Sequence, residues 1–345
     1  MAPREGRPRF IGRSLIPDGL RGRRDTGALL RIARPLFLAL CTLAPVALAS
    51  PIQPVLPAGQ RPGLPEGPAP QLGTPTPKAG AGPGSLKVHF IDVGHGDSCL
   101  IQTPRGHAIL VDGGNAETAR GLVQYLRNAG VKRIAMMIAS HPHSDHVGGL
   151  AEVARAFEVE MVLDPGYSYP TSSYRTYLKA VKSNKKTRFV IARAGQAYRI
   201  DEVRLSVLSP SDPLPADVND SSIVCRLSYG DFSVMLTGDA GVEAERRVLR
   251  RKGGPIKSTV LKVAHHGSAT STSPPFLRAV APEVAVISCK ERDSQRWSPK
   301  AAHAIKARGI RICRTDHDGT IIVESDGKGY TLKTLGQGLD EDPPR

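Results

Sequence analysis

The segment from His141 to His146 reads His-Pro-His-Ser-Asp-His and carries three imidazoles and one carboxylate. Imidazole nitrogens and carboxylate oxygens are ligands that zinc and similar metals accept. His141 and His143 stand two positions apart at a strand end, so both side chains can point the same way and hold one metal. Asp145 and His146, at the start of the next helix, can hold a second metal nearby. The spacing therefore predicts a two-metal hydrolytic site.

Regular elements must position this segment, and the apolar pattern predicts them from Ser85 onward. Strands are predicted at 86–93, 98–103, 108–112, 134–139, 159–163, 187–191, 203–208, 222–229, 232–237, 258–263, 283–288, 310–314 and 319–324. Helices are predicted at 116–128, 147–156, 173–184, 241–251, 274–280 and 299–308. A strand-rich start followed by alternating strands and helices, twice over, indicates an α/β fold of two face-to-face sheets with helices outside.

Six further polar motifs accompany the histidine segment. They are Ile-Asp-Val-Gly-His-Gly-Asp-Ser at 91–98, Val-Asp-Gly-Gly at 111–114, Asn-Asp-Ser-Ser at 219–222, Leu-Thr-Gly-Asp at 236–239, Lys-Val-Ala-His-His-Gly-Ser at 262–268 and Arg-Thr-Asp-His-Asp-Gly at 314–319. As a set they resemble the metallo-β-lactamase superfamily. The first resembles the Asp-Val-Gly-Gln-Gly-Asp signature of ComEC/Rec2-type competence proteins, with His95 in place of the usual glutamine. The resemblance implies an αββα sandwich of two mixed sheets, with the metal site in loops at one edge.

The resemblance also implies a ligand set. His141 and His143 bind the first metal. Many members of the superfamily add a histidine about twenty residues before the bridging aspartate, but this chain has none between His146 and His265. Asp220 is our choice for that third ligand, with Asn219 as the alternative. Both residues could instead cap the turn into the next strand.

Asp239 ends a predicted strand, and by resemblance its carboxylate bridges the two metals. A carboxylate there could also cap the helix predicted at 241–251. Asp145, His146 and one histidine of the His265-His266 pair hold the second metal, and His265 is our choice because it directly follows a strand. His266 is then expected beside the metal or against the substrate, and Asp145 is expected to orient the attacking hydroxide.

Two other aspartates and the remaining histidines have lesser expected roles. Asp112 follows a strand and is expected to orient a ligand histidine through the ring N–H, whereas Asp97 could do the same or form a turn. His95 is expected at the surface or in packing, as are His89, His107, His303 and His317. Trp297 stands before Ser298-Pro299 where many relatives carry His-Pro, so a helper histidine is absent.

The termini differ in composition from the predicted hydrolase domain at 85–335. Residues 1–49 are rich in arginine, then apolar, and end in Ala47-Leu48-Ala49, which predicts a signal peptide cut near Ala49 or an N-terminal anchor. Residues 50–84 are rich in Pro and Gly and predict a disordered linker, and 336–345 predict a polar tail. The mature chain is therefore expected outside the cytoplasm, secreted or in the cell envelope, without a stable membrane span.

Charge and cysteine content bound the partners. Nine arginines against three acidic residues give 1–49 a charge of +6, and 50–84 add +1, which leaves +8 of the total +15 for 85–345. That excess either attracts nucleic acid or serves solubility. Tyrosines and lysines between 167 and 188 could track a nucleic-acid strand, but a buried tyrosine face with solvated lysines is the favoured interpretation. Cys289 and Cys313 could pair in an oxidising compartment.

The predicted function is an exported metal-dependent hydrolase with two divalent ions, zinc or manganese. The resemblance to the ComEC catalytic domain implies a phosphodiesterase or nuclease that cleaves DNA through a metal-activated hydroxide, so the partner is nucleic acid or another phosphodiester. The alternatives are another hydrolase on the same scaffold, a phosphorylcholine esterase or lactonase, and a non-catalytic secreted DNA-binding module. A β-lactamase is disfavoured because the histidine before Asp239 is missing.

Overall fold

The structure is a computed structural model that describes residues 84–251, 254–290 and 298–336. The predicted signal region at 1–49 and Trp297 lie outside the described residues, as do nearly all of the predicted linker and tail. None of the helices in the described ranges is long and apolar enough to cross a membrane.

Strands and helices follow one another much as the apolar pattern predicts. The strands are β1 Leu86–Phe90, β2 Cys99–Gln102, β3 Ala108–Val111, β4 Arg133–Ile138, β5 Glu158–Asp164, β6 Arg188–Ile191, β7 Ala197–Ile200, β8 Val203–Val207, β9 Cys225–Tyr229, β10 Phe232–Leu236, β11 Val260–Lys262, β12 Val284–Ile287, β13 Arg311–Arg314, β14 Ile321–Ser325 and β15 Tyr330–Thr334. The helices are α1 Ala119–Asn128, α2 Ser144–Val147, α3 Leu150–Ala156, α4 Ser172–Ser183, α5 Val242–Arg250, α6 Pro274–Val280, α7 Pro299–Lys306 and α8 Thr315–Asp318. The sequence pattern did not predict β7 or β15.

The strands form two mixed sheets. The first has the order β15-β14-β1-β2-β3-β4-β5-β6, and the second has the order β13-β12-β11-β10-β9-β8-β7. In the first sheet β3 to β6 run parallel, and in the second β10 to β13 do. The remaining neighbours are antiparallel. This confirms the predicted sandwich of two mixed sheets.

Three apolar layers hold the sandwich together. Because side chains alternate along a strand, Ile101 and Met136 of the first sheet meet Leu227 and Val234 of the second between the sheets. The other face of the first sheet packs against α1, α3 and α4. The other face of the second sheet packs against α5, α6 and α7 where β10 to β13 lie. Helices therefore lie on the outer side of both sheets, as predicted, and in the second sheet they cover the part formed by β10 to β13.

The parallel strands bring the polar motifs to one edge. Residues that follow β4 in the first sheet, and β10 and β11 in the second, leave their strands at carboxyl ends. Neighbouring parallel strands end at the same edge of a sheet, which is where α/β proteins usually place their sites. The histidine segment, Asp239 and the His265-His266 pair accordingly meet there.

Candidate metal centre

The histidine segment is held by a tight turn from strand to helix. His143 has an extended backbone, with φ −66° and ψ 149°, and stands at the N-cap of α2. The backbone N–H groups of His146 and Val147 donate to its carbonyl at 3.1 and 3.0 Å. Gly149 packs so closely that a Cβ there would collide with the carbonyl oxygen of Gly113. Only glycine permits that approach, so the two glycines after the segment fix how it docks on the motif at 111–114.

One group of ligand atoms joins His141, His143 and Asp239, all within 4.8 Å of one another. The Nε2 atom of His141 lies 3.0 Å from Nδ1 of His143 and 3.7 Å from Oδ2 of Asp239. The structure thus brings the two histidines predicted for the first metal together with the predicted bridging carboxylate.

A second group joins Asp145, His146, Asp239 and His266, again within 4.8 Å. The Oδ1 atom of Asp239 lies 3.2 Å from Nε2 of His146 and 3.6 Å from Nε2 of His266. The Oδ2 atom of Asp145 lies 3.3 Å from Nε2 of His266 and 3.8 Å from Nε2 of His146. Asp239 therefore turns one oxygen toward each group, which is the geometry a bridging carboxylate needs.

The unsatisfied atoms at the centre fit divalent metal ions. Nε2 of His146, Nε2 of His266 and Oδ1 of Asp239 are buried and lack a hydrogen-bond partner among the described residues. A buried polar atom without a partner is costly unless a ligand satisfies it. Ligand atoms bound at about 2.1 Å around one tetrahedral metal lie roughly 3.4 Å apart, close to the spacings above. The donor set of nitrogen and carboxylate oxygen matches zinc and related ions.

Asp112 and Asp97 support the ligand histidines from behind. The Oδ2 atom of Asp112 lies 2.9 Å from Nδ1 of His146, and its Oδ1 accepts from the N–H of Ser140 at 2.7 Å. This is the role expected for Asp112. Asp97 lies 3.4 Å from Nδ1 of His266, which also contacts the carbonyl oxygen of Ser288 at 3.0 Å. Such contacts fix the ring orientation and leave Nε2 free to face a metal.

The ionisable groups of the centre strongly shift one another's pKa values. Burial disfavours ionisation of Asp239, but His146 and His266 outweigh it and hold the pKa of this carboxyl well below its usual range. Burial opposes protonation of His266, yet Asp239 and Asp145 raise its pKa to about 9. Burial and the nearby His146 lower the pKa of His141 well below its usual value. Without a cation the carboxylates therefore draw protons to His146 and His266, which is the charge a metal would replace.

The two adjacent histidines take the reverse of their expected places. His266 is buried and belongs to the second group, whereas the side chain of His265 is 23% exposed, with Nε2 3.8 Å from Oδ2 of Asp239. Both residues have left-handed backbones, with φ 50° and 51°. Two successive left-handed residues turn the second ring inward. Neither strand length nor residue type predicts this conformation.

Asp220 lies outside both groups. Its Oδ1 accepts from the N–H of Ala244 at 3.1 Å in the first turn of α5. The N-cap residue of that helix is Gly241, and its first turn is thus satisfied by Asp220 rather than by Asp239. Asn219 lies in the adjoining short helical turn and is likewise not among the grouped ligands. Asp220 therefore caps α5, the helix whose cap was expected from Asp239, and its role as a metal ligand stays a prediction.

His95 joins the site, contrary to the surface or packing role expected for it. Its Nε2 lies 3.2 Å from Oδ2 of Asp145, and its ring centroid lies 4.8 Å from that of His266. The only signal in the sequence was its place inside the motif at 91–98. His95 lines a pocket of about 420 Å³ that opens over both groups. Its other lining residues are Asn115, His143, Ser144, Asp145, Tyr169, Thr171, Asp239 and His265.

Sequence comparison identifies the class of protein to which this fold and this site belong. The sequence profile of the metallo-beta-lactamase superfamily matches residues 91–290. The chain belongs to the metallo-β-lactamase superfamily. Within it, ComE operon protein 3 of Bacillus subtilis is 30% identical over 253 residues, which cover 68% of this chain and 32% of that protein. Competence protein ComA of Neisseria gonorrhoeae is 32% identical over 231 residues, which cover 67% of this chain and 31% of that protein.

These matches confirm the resemblance to competence proteins. The chain spans about a third of the length of the two relatives. Among solved structures, the metallo-beta-lactamase fold protein YhfI from Bacillus subtilis is 12% identical with a TM-score of 0.45, covering 70% of this chain and 100% of that one. At that identity the likeness does not extend to substrate or chemistry.

Proposed function

We propose that this metal-dependent hydrolase of the metallo-β-lactamase superfamily is an exported phosphodiesterase that acts on DNA. The observation that carries the proposal is the position of the Asp239 carboxylate. Its Oδ1 faces His146 and His266, and its Oδ2 faces His141. Two metal ions about 3.5–4 Å apart serve phosphodiester cleavage in many nucleases because they offset charge on both the attacking and the leaving oxygen.

Each residue has a definite task in this proposal. His141 and His143 would hold one ion, and Asp145, His146 and His266 the other, with Asp239 between them. Divalent ions bound there would supply Lewis-acid chemistry and lower the pKa of a coordinated water. Asp145 lies at the pocket wall, 15% exposed at its side chain, and would orient the attacking oxygen toward the substrate.

The choice of a phosphodiester rests on two observations. The curated relatives are competence proteins, and competence is the uptake of DNA. The chain also lacks the histidine that β-lactamases place before the bridging aspartate, since no histidine lies between His146 and His265.

Export is the second part of the proposal. It rests on the arginine-rich and then apolar segment at 1–49, its Ala-Leu-Ala ending and the Pro- and Gly-rich segment that follows. Such a pattern is typical of a secretory signal. N-terminal sequencing of the native protein should find Ser50 first. An intact Met1 on a soluble cytoplasmic chain would contradict export, whereas an intact Met1 on a membrane-bound chain would indicate the N-terminal anchor.

The activity is tested on the full chain with Mn²⁺ or Zn²⁺. We expect cleavage of linear DNA and of bis-p-nitrophenyl phosphate, no hydrolysis of nitrocefin, and loss of all cleavage in EDTA. His143→Ala should abolish cleavage because it removes a ligand of the first group. Arg175→Ala, on the exposed side of α4, serves as the control and should keep full activity.

Three outcomes would replace this function with another. Hydrolysis of lactones or of p-nitrophenylphosphorylcholine without diester cleavage would indicate a lactonase or a phosphorylcholine esterase. DNA binding without any hydrolysis in either metal would indicate a non-catalytic binding module. Failure to bind any divalent ion would remove the metal-dependent mechanism altogether.

A further inference from the structure

A second pocket lies on the outer face of the second sheet, at its β7 end. It has a volume of about 250 Å³ and is lined by three arginines, Arg204, Arg226 and Arg251, together with Ser206 and Ser228. Pockets for drug-sized ligands usually measure about 300–1,000 Å³. The size and the lining therefore suit a small anionic group rather than an apolar molecule.

The register of the strands explains how these side chains meet. Arg204 of β8 lies opposite Ser228 of β9, and Ser206 lies opposite Arg226. These four residues alternate with buried residues such as Leu205 and Leu227, so all four face away from the core. Diagonal neighbours on one face of a sheet lie about 7–8 Å apart. The guanidinium groups of Arg204 and Arg226 can therefore contact one anion from two sides. The hydroxyls of Ser206 and Ser228 lie between them.

In the part of the chain that the structure describes, no helix packs broadly against β8 or β9 on this face. The outer apolar cluster of the second sheet joins α5, α6 and α7 to β10, β11 and β12 and does not include the outward residues of β8 or β9. Arg251, the residue after α5, reaches the pocket from the side. Gly195 makes room for it, since a Cβ there would lie 3.1 Å from Nη2 of Arg251. The pocket thus stays open to solvent beside the helical layer.

Ion pairs within the described residues do not balance the positive charge of the pocket. Among the described residues, no carboxylate lies within ion-pair distance of Arg204, Arg226 or Arg251. Arg204 donates from Nε to Oγ of Ser206 at 3.3 Å, and Arg226 donates from Nε to the carbonyl of Lys257 at 2.9 Å. Both bonds orient the guanidinium planes and leave the terminal nitrogens to a ligand. Like charges on neighbouring positions of one sheet face destabilise the sheet unless an anion lies between them.

The row of arginines continues across the sheet, which points to a chain-like ligand. Arg199 of β7 lies opposite Arg204 and is also exposed. Guanidinium forks and hydroxyls together are the usual donors to phosphate oxygens of nucleic acids. A single phosphate would need only the pocket, whereas successive phosphates of a strand would use the row. The geometry therefore favours an extended polyanion.

We propose that the β7–β9 face, defined by Arg199, Arg204, Arg226 and Arg251, binds the phosphodiester backbone of a nucleic-acid strand. The choice of nucleic acid as the polyanion rests on the proposed function. The proposal that this face binds a polyanion does not depend on the proposed function, because the face contains none of the grouped metal ligands. The β7–β9 face would hold one part of a strand while another part of the same strand enters the metal centre.

The test measures binding without catalysis. The full chain is titrated in EDTA against a fluorescein-labelled 20-nucleotide oligothymidylate, and anisotropy gives the Kd at several salt concentrations. The variant R204Q/R226Q/R251Q removes three charges from the face. We expect its Kd to rise at least about tenfold, and the slope of log Kd against log salt to fall by about 2, because each lost contact to a single strand is worth about 0.7. Circular dichroism and thermal melting check that the variant folds.

A control variant with the same loss of charge makes the result specific. Lys179, Lys182 and Lys185 are exposed on or just after α4, and K179Q/K182Q/K185Q should leave the Kd within about twofold. R204Q/R251Q, which changes only exposed arginines, replaces the triple variant if Arg226→Gln does not fold. An equal loss in the lysine variant, or no loss in either arginine variant, would overturn the proposal. Binding of inorganic phosphate, measured by calorimetry, without any binding of the oligonucleotide would also overturn it and indicate a free-phosphate site.

Hydrolysis of bis-p-nitrophenyl phosphate separates this proposal from the proposed function. The small diester spans only the metal centre, so R204Q/R226Q/R251Q should hydrolyse it at the rate of the unsubstituted chain. If the unsubstituted chain hydrolyses no diester but loses oligonucleotide binding on arginine substitution, the proposed function fails and the binding face stands. If it hydrolyses DNA while the arginine variants bind and cleave DNA normally, the face fails and the proposed function stands.

Discussion

The Nζ atom of Lys262 lies 2.7 Å from Oδ2 of Asp97, and both side chains are almost wholly buried. Lys262 ends β11 of the second sheet, whereas Asp97 precedes β2 of the first, so one ion pair joins the two sheets beneath the metal centre. Burial disfavours ionisation of Asp97, but Lys262 and His266 outweigh it and hold the pKa of this carboxyl below its usual range. The pair thereby keeps a negative charge behind His266.

Lys262→Met should destabilise the fold strongly because it leaves Asp97 charged, buried and without its main partner. Breaking a buried pair on one side typically costs about 3–5 kcal/mol, and urea denaturation monitored by circular dichroism measures it. The double variant Asp97→Asn with Lys262→Met should recover part of the loss. Lys179→Met on exposed α4 is the matched control and should change stability by less than about 0.5 kcal/mol. A loss no larger than that in Lys262→Met would show that the pair contributes little.

Asp112→Asn should weaken metal binding without unfolding the chain. The carboxylate orients His146 through Nδ1 at 2.9 Å, and loss of such a contact typically lowers metal affinity about 10–100-fold. Competition with a chromophoric chelator measures the affinity for Zn²⁺. Asp201→Asn offers a matched control, because Asp201 contacts Nδ1 of His107 at the same 2.9 Å away from the grouped ligands. Equal affinities in the two variants would mean that Asp112 has no special part in metal binding.

Metal content should distinguish the two adjacent histidines. His266→Ala removes a buried member of the second group and should lower the bound metal by about one ion per chain. His265→Ala changes a partly exposed ring outside the two groups and should leave the content nearly unchanged. Asp239→Ala should lower it most, since Asp239 belongs to both groups. Elemental analysis of the dialysed proteins measures all three, and the opposite order for the two histidines would restore His265 as the ligand.

Acid should destabilise the fold in part through His89. Burial, followed by the charge of Lys87, lowers the pKa of His89 to about 4, and its Nδ1 contacts the hydroxyl of Tyr125 at 2.7 Å. The unfolded chain protonates this ring near pH 6.5, so between about pH 6.5 and 4 the unfolded state binds more protons and the free energy of unfolding falls as pH falls. At pH 5 the loss is about 2 kcal/mol relative to pH 7.5. His89→Gln cannot take up the proton and should lose about that much less between the two pH values in urea denaturation, whereas parallel curves for the two proteins would refute this account.

Much of the fold could be predicted because its central strands are apolar on both faces. β4 and β5 are predicted within two residues, since helices cover one side and the other sheet covers the opposite side. β7 and β15 were missed because they lie at sheet ends and alternate with polar residues, as Arg199 and Lys333 show. An edge strand buries little, so its sequence is weakly constrained.

The candidate site was predictable where ligands are close in sequence. His141, His143, Asp145 and His146 follow from their spacing alone, and a strand end locates Asp239. The order of His265 and His266 was not predictable, because it depends on two left-handed backbone conformations that residue types do not encode. The contact of Asp220 with α5 was not predictable for a similar reason, because an aspartate before a strand can serve a metal or a neighbouring helix equally well.

Tyrosines in α4 behave as the favoured interpretation expected. Tyr174 and Tyr177 are buried, and the hydroxyl of Tyr174 donates to Oδ1 of Asp164 at 2.9 Å. Their rings are therefore not available for stacking on bases, and the exposed lysines beside them remain a solvated surface. The four described cysteines, among them Cys289 and Cys313, are free thiols, although the strands β12 and β13 that lead to them are neighbours as expected.

The pairing of β1 with β14 has a consequence for biogenesis. β1 starts the described domain, yet one of its two neighbours is formed by Ile321–Ser325. During synthesis the hydrogen-bonding edge of β1 therefore waits for more than two hundred residues of chain before it is covered. Until then the nascent protein offers an open strand edge to other chains or to a chaperone. The first sheet is therefore complete only when β14, near the end of the described domain, has been synthesised.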